Sequence, residues 1–356
     1  MRVVVAMSGG VDSSVTAALL VEKGYEVIGA TMQIWDPAVT EVDGEHIGCC
    51  SLAAVEDARK VAALLGIPHY VLNLRHPFEE KVVAYFCREY LSGRTPNPCV
   101  ACNRYIKFET FLQKALALEA DLIATGHYAR LFYDPGRGRY LLKKAKDQSK
   151  DQTYVLYNLT QEQAARLLLP LGEYTKEEVR AIAARRRLPV AEKAESQEIC
   201  FITGRYPEFI KAKTGAVFAP GPFLDLEGRV IGRHKGLPFY TVGQRRGLGL
   251  AMGERIYVVA LDPRRNAVIV GPEEALLAAE LTSRDNNFIY FEKPPGPLEV
   301  QAKIRYKAPA APAVLTPLEG DRARLRFREP QRAITPGQAV VYYLGDYVVG
   351  GGIICK

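Results

Sequence analysis

The stretch Ser8-Gly9-Gly10-Val11-Asp12-Ser13 constrains the fold of this chain more than any other. It follows Val3-Val4-Val5-Ala6-Met7, an apolar run with the length of a buried strand. It precedes Val11, Val15, Ala18 and Leu19, whose i, i+4, i+7, i+8 spacing predicts an amphipathic helix. A strand, a glycine-rich turn and a helix start make a cradle for phosphate. The glycines let the backbone come close, and the helix N-terminus offers N–H groups and a partial positive charge. Ser8, Ser13 and Ser14 add hydroxyls, and Asp12 is a carboxylate suited to a divalent cation. The Walker pattern G-x-x-x-x-G-K-[ST] and the dinucleotide pattern G-x-G-x-x-G are both absent from this turn.

S-G-G-x-D-S after a first strand resembles the PP-loop of the adenine-nucleotide alpha hydrolase superfamily. The resemblance implies cleavage of ATP between the α and β phosphates and, in many members, transfer of AMP to a carbonyl oxygen. The residues around the turn fit that setting. Glu26 to Trp35 reads as a second strand and His69 to Leu74 as a third. Asp121 to His127 reads as a fourth, ending in Gly126-His127. Between them lie a helix capped by Ser51 with an apolar face through Leu52, Val55, Ala58, Ala62 and Leu65, one opened near Pro77, and one over Ile106 to Leu118. Alternation of this kind predicts a doubly wound parallel sheet with its ligand beyond the carboxyl ends of the strands. Thr175-Lys-Glu-Glu178 is a capping-box signal for a further helix through Arg187.

After Cys200-Phe201 the pattern changes. From about Gly204, Gly and Pro punctuate short β-branched runs, among them Ile256 to Leu261, Ala267 to Val270, Val300 to Tyr306, Arg322 to Phe327 and Ala339 to Leu344. Helical periodicity is expected only at Pro272–Ala279. Arg322, Arg324, Arg326 and Arg328 alternate with Ala323, Leu325 and Phe327, which puts the arginines on one strand face, toward solvent or along RNA. Arg233, His234, Lys235, Arg245 and Arg246 form two further basic clusters in glycine-rich loops.

The chain has 356 residues with 47 Lys and Arg against 40 Asp and Glu, a net charge of +7 that permits a polyanionic partner. No apolar run approaches the ~20 residues of a membrane helix, and Met1-Arg2 leads straight into the first strand without the layout of a signal peptide. The expected location is the cytoplasm, with no membrane partner. There, seven cysteines do not make a disulfide framework, so individual thiols become candidates for chemistry. Cys99 and Cys102 stand at C-x-x-C spacing just before the predicted helix, where a thiol pKa can fall and a metal or iron–sulfur cluster can bind. Cys200 is the one other thiol in a comparable polar loop. Cys49 and Cys50 read as structural, Cys87 as packed in a helix, and Cys355 carries no assignment.

Taken together, these stretches resemble the family of bacterial tRNA-specific 2-thiouridylases along nearly the whole chain. The resemblance rests on Ala6–Ser13, Thr31-Met32, Asn97–Phe108 (NPCVACNRYIKF), Ala124–Tyr128 (ATGHY), Lys150-Asp151-Gln152, Ser196–Ile202, Gly232–Gly249 and Pro336-Gly337-Gln338. It implies a PP-loop, HUP-like domain over 1–204, a small central β-rich domain contacting tRNA over 205–272, and a C-terminal β-barrel over 273–356. Ala6, Met7, Ser8, Gly9, Gly10, Val11, Asp12, Ser13, Met32 and Gly126 would bind ATP, with Mg²⁺ at Asp12. Cys102 would be the nucleophile and Cys200 would carry a persulfide. Asn97, Pro98 and Cys99 would border the target base. His127, Lys150, Asp151, Gln152, Arg305, Tyr306 and Gln338 would touch tRNA, and His127 could also be a base. The implied partners are tRNA(Lys/Glu/Gln) and a sulfur donor, either a cysteine desulfurase or a relay protein.

One departure matters. Many members carry Asp where this chain has Cys99. Cys99, Cys102 and Cys200 then make a three-thiol set that could hold a [4Fe-4S] cluster with one open corner, a competing carrier for the sulfur. The alternative readings are another PP-loop ligase or synthetase, in which Cys102→Ser leaves turnover intact, a non-catalytic RNA-binding protein, and a redox protein indifferent to ATP.

Overall fold

The structure is a computed structural model and describes residues 1–35, 41–42, 45–46, 52–194, 199–202, 204–251 and 253–355. Cys49, Cys50, the cap expected of Ser51, and Ser196 to Glu198 lie outside the described residues. Two compact bodies share the chain unevenly. The first holds Met1–Val83, Pro98–Thr203 and Asp346–Val348, and the second holds Ala84–Asn97, Gly204–Gly345 and Val349–Lys356.

The first body is built on a sheet of five strands, all parallel: β1 (Arg2–Ala6), β2 (Glu26–Gln33), β3 (His69–Asn73), β4 (Leu122–Ala124) and β5 (Leu167–Leu168). Their order is β3-β2-β1-β4-β5. The central strand is apolar throughout because both its faces are covered, with Val3, Val4 and Val5 all fully buried. α1 (Val11–Glu22) crosses from β1 to β2 and is buried nearly all round, down to Ser13, Ser14 and Thr16. It packs with α2 (Leu52–Leu65), whose Ala58, Val61 and Ala62 join the same core. Thr175 accepts from the Glu178 N–H while Glu178 closes back on Thr175, so the capping box opens the helix Lys176–Arg185 as the sequence predicts.

The second body contains a four-stranded sheet in the order Val230–His234, Gly221–Leu224, Ala267–Gly271, Tyr257–Asp262. It also contains a barrel of six strands: Leu277–Phe288, Ala323–Arg332, Ala311–Pro317, Leu298–Lys303, Ala339–Leu344 and Tyr347–Ile354. Leu277–Phe288 pairs with both Ala323–Arg332 and Tyr347–Ile354, with Ser283 opposite Ile354, and so closes the ring. The alternation read in the arginine strand is present: Ala323, Leu325 and Phe327 are buried while Arg324, Arg326 and Arg328 are exposed. Arg326 lies 3.6 Å from Glu280 and Arg328 2.8 Å from Glu299.

Three local expectations are corrected. Cys99 and Cys102 lie inside a helical run, not before one. Pro98 sits at its start, where a missing N–H costs nothing, and the run continues through a π-helical Cys102–Thr110 into Phe111–Ala117. Pro272–Ala279 holds only one turn, Glu273–Leu276, before the strand that begins at Leu277. A helix at Tyr206–Thr214 escapes the periodicity test because just Pro207 and Ile210 of its residues are buried.

Candidate active site

Three loops at the carboxyl edge of the parallel sheet converge on one cavity of about 350 Å³, within the range of small-molecule sites. Ala6, Met7 and Ser8 reach it from the end of β1, Thr31, Met32 and Ile34 from the end of β2, and Thr125, Gly126 and His127 from the end of β4. Strand order runs away in opposite directions from β1 and β4, and that switch point is where open α/β sheets take their ligands.

The glycine turn is held open by its own chemistry. Gly9 has φ +67°, and a Cβ there would collide with the Ala54 carbonyl, so a larger residue does not fit. Gly10 is the N-cap of α1 and brings no side chain to its first N–H groups, which leaves that turn for an anion or water to cap. The Ser13 hydroxyl accepts from the Ser8 N–H at 3.2 Å and donates to the Gly10 carbonyl at 3.1 Å. From outside, the Lys193 ammonium donates to the Gly9 carbonyl at 3.0 Å and pairs with Asp57 at 2.6 Å.

Asp12 is engaged. The Lys176 ammonium reaches both its oxygens, at 2.7 and 2.9 Å, and the Tyr128 hydroxyl donates to Oδ1 at 2.8 Å. Lys176 is only 6% exposed, and its ammonium lies 5.7 Å from the centre of the Tyr128 ring. Gly126 approaches this turn closely, since a Cβ on it would stand 2.9 Å from the Asp12 carbonyl carbon and the Ser13 nitrogen.

The opposite wall carries the thiols. Pro98 lines it from the start of the helical run, and Cys99, Cys102, Asn103, Ile106 and Lys107 follow at the i, i+3, i+4, i+7, i+8 positions of one face. Ile199, Cys200 and Phe201 line it from a separate segment, where Phe201 packs edge-on to Phe78 at 5.5 Å. Cys99 is exposed, and Cys102 and Cys200 are half-buried. Among the described residues, no three His, Cys, Asp or Glu side chains come together as a metal-holding group. The three thiols therefore border one cavity without forming a ligand set for a cluster. For Mg²⁺ the requirement is lighter, because that ion keeps waters and nucleotide oxygens and needs one or two carboxylates. Asp12, the one carboxylate among the described residues that line the cavity, meets it.

His127 is buried against Thr125, with Nδ1 2.8 Å from the hydroxyl, and its Nε2 lies 3.4 Å from the Lys107 ammonium. Burial, and then the Lys107 charge, hold its pKa well below the ordinary 6.5. An ammonium can only donate, so Nε2 is the acceptor toward Lys107, which leaves Nδ1–H of a neutral ring to donate to Thr125.

Of the other residues expected to meet tRNA, Gln152 lines the cavity and accepts the Tyr128 N–H at 2.9 Å. Asp151 accepts from the Ala145 N–H at 3.1 Å and the Thr153 hydroxyl at 2.6 Å, and the Lys150 N–H donates to the Asp147 carbonyl at 3.2 Å. Asn97, Arg305, Tyr306 and Gln338 belong to the second body. There Gln338 donates to the Thr95 carbonyl at 2.9 Å, and Tyr306 is 38% exposed with Lys303 over its ring at 5.6 Å. Lys176, Tyr128, Lys107 and Asn103 were not singled out from the sequence. Asn103, Lys107 and Tyr128 lie within the stretches Asn97–Phe108 and Ala124–Tyr128 that carry the resemblance, but nothing in the sequence gives them a role.

Residues 1–204 match the family model described as a tRNA methyl transferase HUP domain. Residues 208–272 match one described as a tRNA methyl transferase PRC-barrel domain, and 278–354 one described as an aminomethyltransferase beta-barrel domain. A relative from Moorella thermoacetica named tRNA-specific 2-thiouridylase MnmA is 62% identical over 98% of this chain and 98% of its own. One of the same name from Desulforamulus reducens is 58% identical over 100% of this chain and 97% of its own. Another, from Pelotomaculum thermopropionicum, is 60% identical over 99% and 97%. With identity of this order along the full length, the chain belongs to the tRNA-specific 2-thiouridylase family.

Proposed function

We propose that this chain is a tRNA sulfurtransferase that converts the wobble uridine, position 34 of tRNA(Lys/Glu/Gln), to 2-thiouridine at the expense of ATP. The observation that carries this reading is the single cavity bordered on one side by Ser8, Asp12 and Ser13 and on the other by Cys102 and Cys200. An activating loop and a pair of thiols facing one space are what a two-stage reaction at one carbon requires.

The C2 carbonyl of uracil has no leaving group. In the first stage its oxygen attacks the α-phosphorus of ATP, the α–β bridge breaks, and pyrophosphate departs from the α1 N-terminus. Mg²⁺ held with Asp12 would neutralise charge on the phosphates. In the second stage a persulfide on Cys200 supplies sulfur. Its terminal sulfur attacks C2 and AMP leaves. The Cys102 thiolate then attacks the Cys200 sulfur, which releases 2-thiouridine and joins the two cysteines. Alternatively, Cys102 attacks first and frees hydrosulfide, which attacks C2. Both routes end in a Cys102–Cys200 disulfide that a cellular thiol must reduce, and both consume a persulfide that a desulfurase or relay protein must renew. The cluster route finds no support in the spacing of the three thiols, so no step passes through it. The flipped-out base and a backbone-directed grip on tRNA fit the family's chemistry, with domains over 1–204, 205–272 and 273–356 dividing that work. His127, bonded through both ring nitrogens, is assigned to the wall of the site.

Unmodified tRNA, ATP–Mg²⁺ and a persulfide donor supplied to the protein should yield 2-thiouridine at position 34, detected by nucleoside mass spectrometry. Cys102→Ser and Cys200→Ser should each lower the yield by about a thousandfold or more while ATP binding persists. If Cys102→Ser turns over normally, the ligase alternative takes its place.

A further inference from the structure

Asn103 is 3% exposed and stands on the cavity wall directly after Cys102. Its Oδ1 is buried and has no hydrogen-bond partner among the described residues. Among the described residues, buried side-chain atoms on His69, Asn158 and Arg186 share that condition, and none of these residues lines the cavity. A buried carbonyl acceptor without a donor is a cost the fold carries until something supplies an N–H. The side chain that carries it lines the cavity. Oδ1 is closed to solvent, so a turn about χ2, a broad and nearly two-fold torsion in asparagine, brings it to an entering group.

We propose that Asn103 is the acceptor that reads the N3–H of the target uracil and holds C2 against Cys102. The inference rests on the uridine-thiolating reading above. Uracil offers one imide donor, N3–H, bonded to the carbon that reacts. An acceptor on N3–H fixes the ring by its neighbour atom and leaves O2 free to meet the α-phosphorus. The amide is also too weak a base to take the proton. When O2 bonds to the α-phosphorus and pyrophosphate leaves, N3 keeps its hydrogen and the ring carries the positive charge, which makes C2 more open to sulfur. Sulfur addition at C2 neutralises the ring, departure of AMP returns the charge, and cleavage of the S–S bond (or loss of the S–H proton in the hydrosulfide route) discharges it, with N3–H in place throughout. A carboxylate at 103 would keep the acceptor, whereas an alanine would remove it.

The test compares anticodon stem-loops carrying uridine or 3-methyluridine at position 34, read as thiolated product. The wild type should favour uridine by about thirtyfold or more in kcat/KM. Asn103→Ala should lower kcat/KM on uridine and shrink the preference to about threefold or less, while Asn103→Asp should retain most of it. A wild type that uses both substrates equally overturns the proposal. So does an Asn103→Ala protein that keeps the full preference, or an Asn103→Asp protein that loses it as alanine does. A merely structural asparagine would change rates on both substrates alike. If alanine does not fold, the wild-type and aspartate arms still decide. Failure of the wild type to thiolate any unmodified stem-loop or tRNA sinks the underlying reading, whereas thiolation with an unaltered preference sinks only this one.

Discussion

Asp12 already has a cation at its side, and that shapes what each residue of the loop can do. Lys176 neutralises it from a buried position, and Tyr128 adds a hydrogen bond. Removing one partner of such a pair leaves the other uncompensated. Because Asp12 keeps a third of its side-chain exposure, Lys176→Met should cost about 2–4 kcal/mol in urea unfolding, less than a fully buried pair. The double variant with Asp12→Asn should recover much of that loss. His127 gives the site a pH signature. Its folded pKa is depressed, so the unfolded chain takes up a proton that the native state refuses. Its contribution is complete above the unfolded value of about 6.5 and is lost as pH falls below it. Melting temperature should therefore fall from pH 7 toward pH 5, and less so in His127→Gln. His69 and His234 shift in the same direction, so one variant removes part of the slope. None of this was legible in the sequence, because Asp12 and Lys176 are separated by 164 positions and no local pattern joins them. The six-residue turn itself was legible, because glycine, serine and helix start are neighbours in the chain.

At the scale of elements, the boundaries that could be read were those written by adjacent residues. Thr175 and Glu178 cap one another three positions apart, and the helix begins where they say. Thr175→Ala should cost about 1 kcal/mol, measured by thermal or urea unfolding. The helix that carries Cys102 was placed too late. Its apolar periodicity starts at Ile106, while its first turn, Pro98–Ala101, is too short to show a period: Pro98, Val100 and Ala101 are buried and Cys99 is exposed on the cavity wall. Asn97-Pro98 was the cue to its true start. The helix Tyr206–Thr214 gave even less, with two buried positions among nine residues. Close packing of elements also sets a limit at Gly126, where any Cβ presses on the start of α1. Overpacking there costs about 1–3 kcal/mol. If that cost falls on the loop, Gly126→Ala should weaken ATP binding about tenfold or more by calorimetry with the melting temperature little changed.

At the scale of the molecule, alternation of strands and helices announced the parallel sheet, and short β-branched runs announced the β-rich remainder. The threading of the chain between two bodies was not announced, because it depends on which distant surfaces meet. Ala84–Asn97 leaves the first body and belongs to the second. Phe86 meets Phe209 at 6.4 Å and Tyr90 stacks near Tyr206 at 4.6 Å, while Thr95 bonds to the Pro336 carbonyl. A fragment ending at residue 203 should consequently expose these rings, bind a hydrophobic dye and aggregate, and it should improve when 204–356 is supplied in trans. The same threading sets a schedule for synthesis. Phe86 and Tyr90 leave the ribosome about 120 residues ahead of the aromatic rings that will cover them. At roughly 5–20 residues per second that delay is on the order of ten seconds. For that interval a nascent chain whose parallel sheet is still being completed also carries an uncovered apolar segment, the kind of surface a chaperone is built to hold.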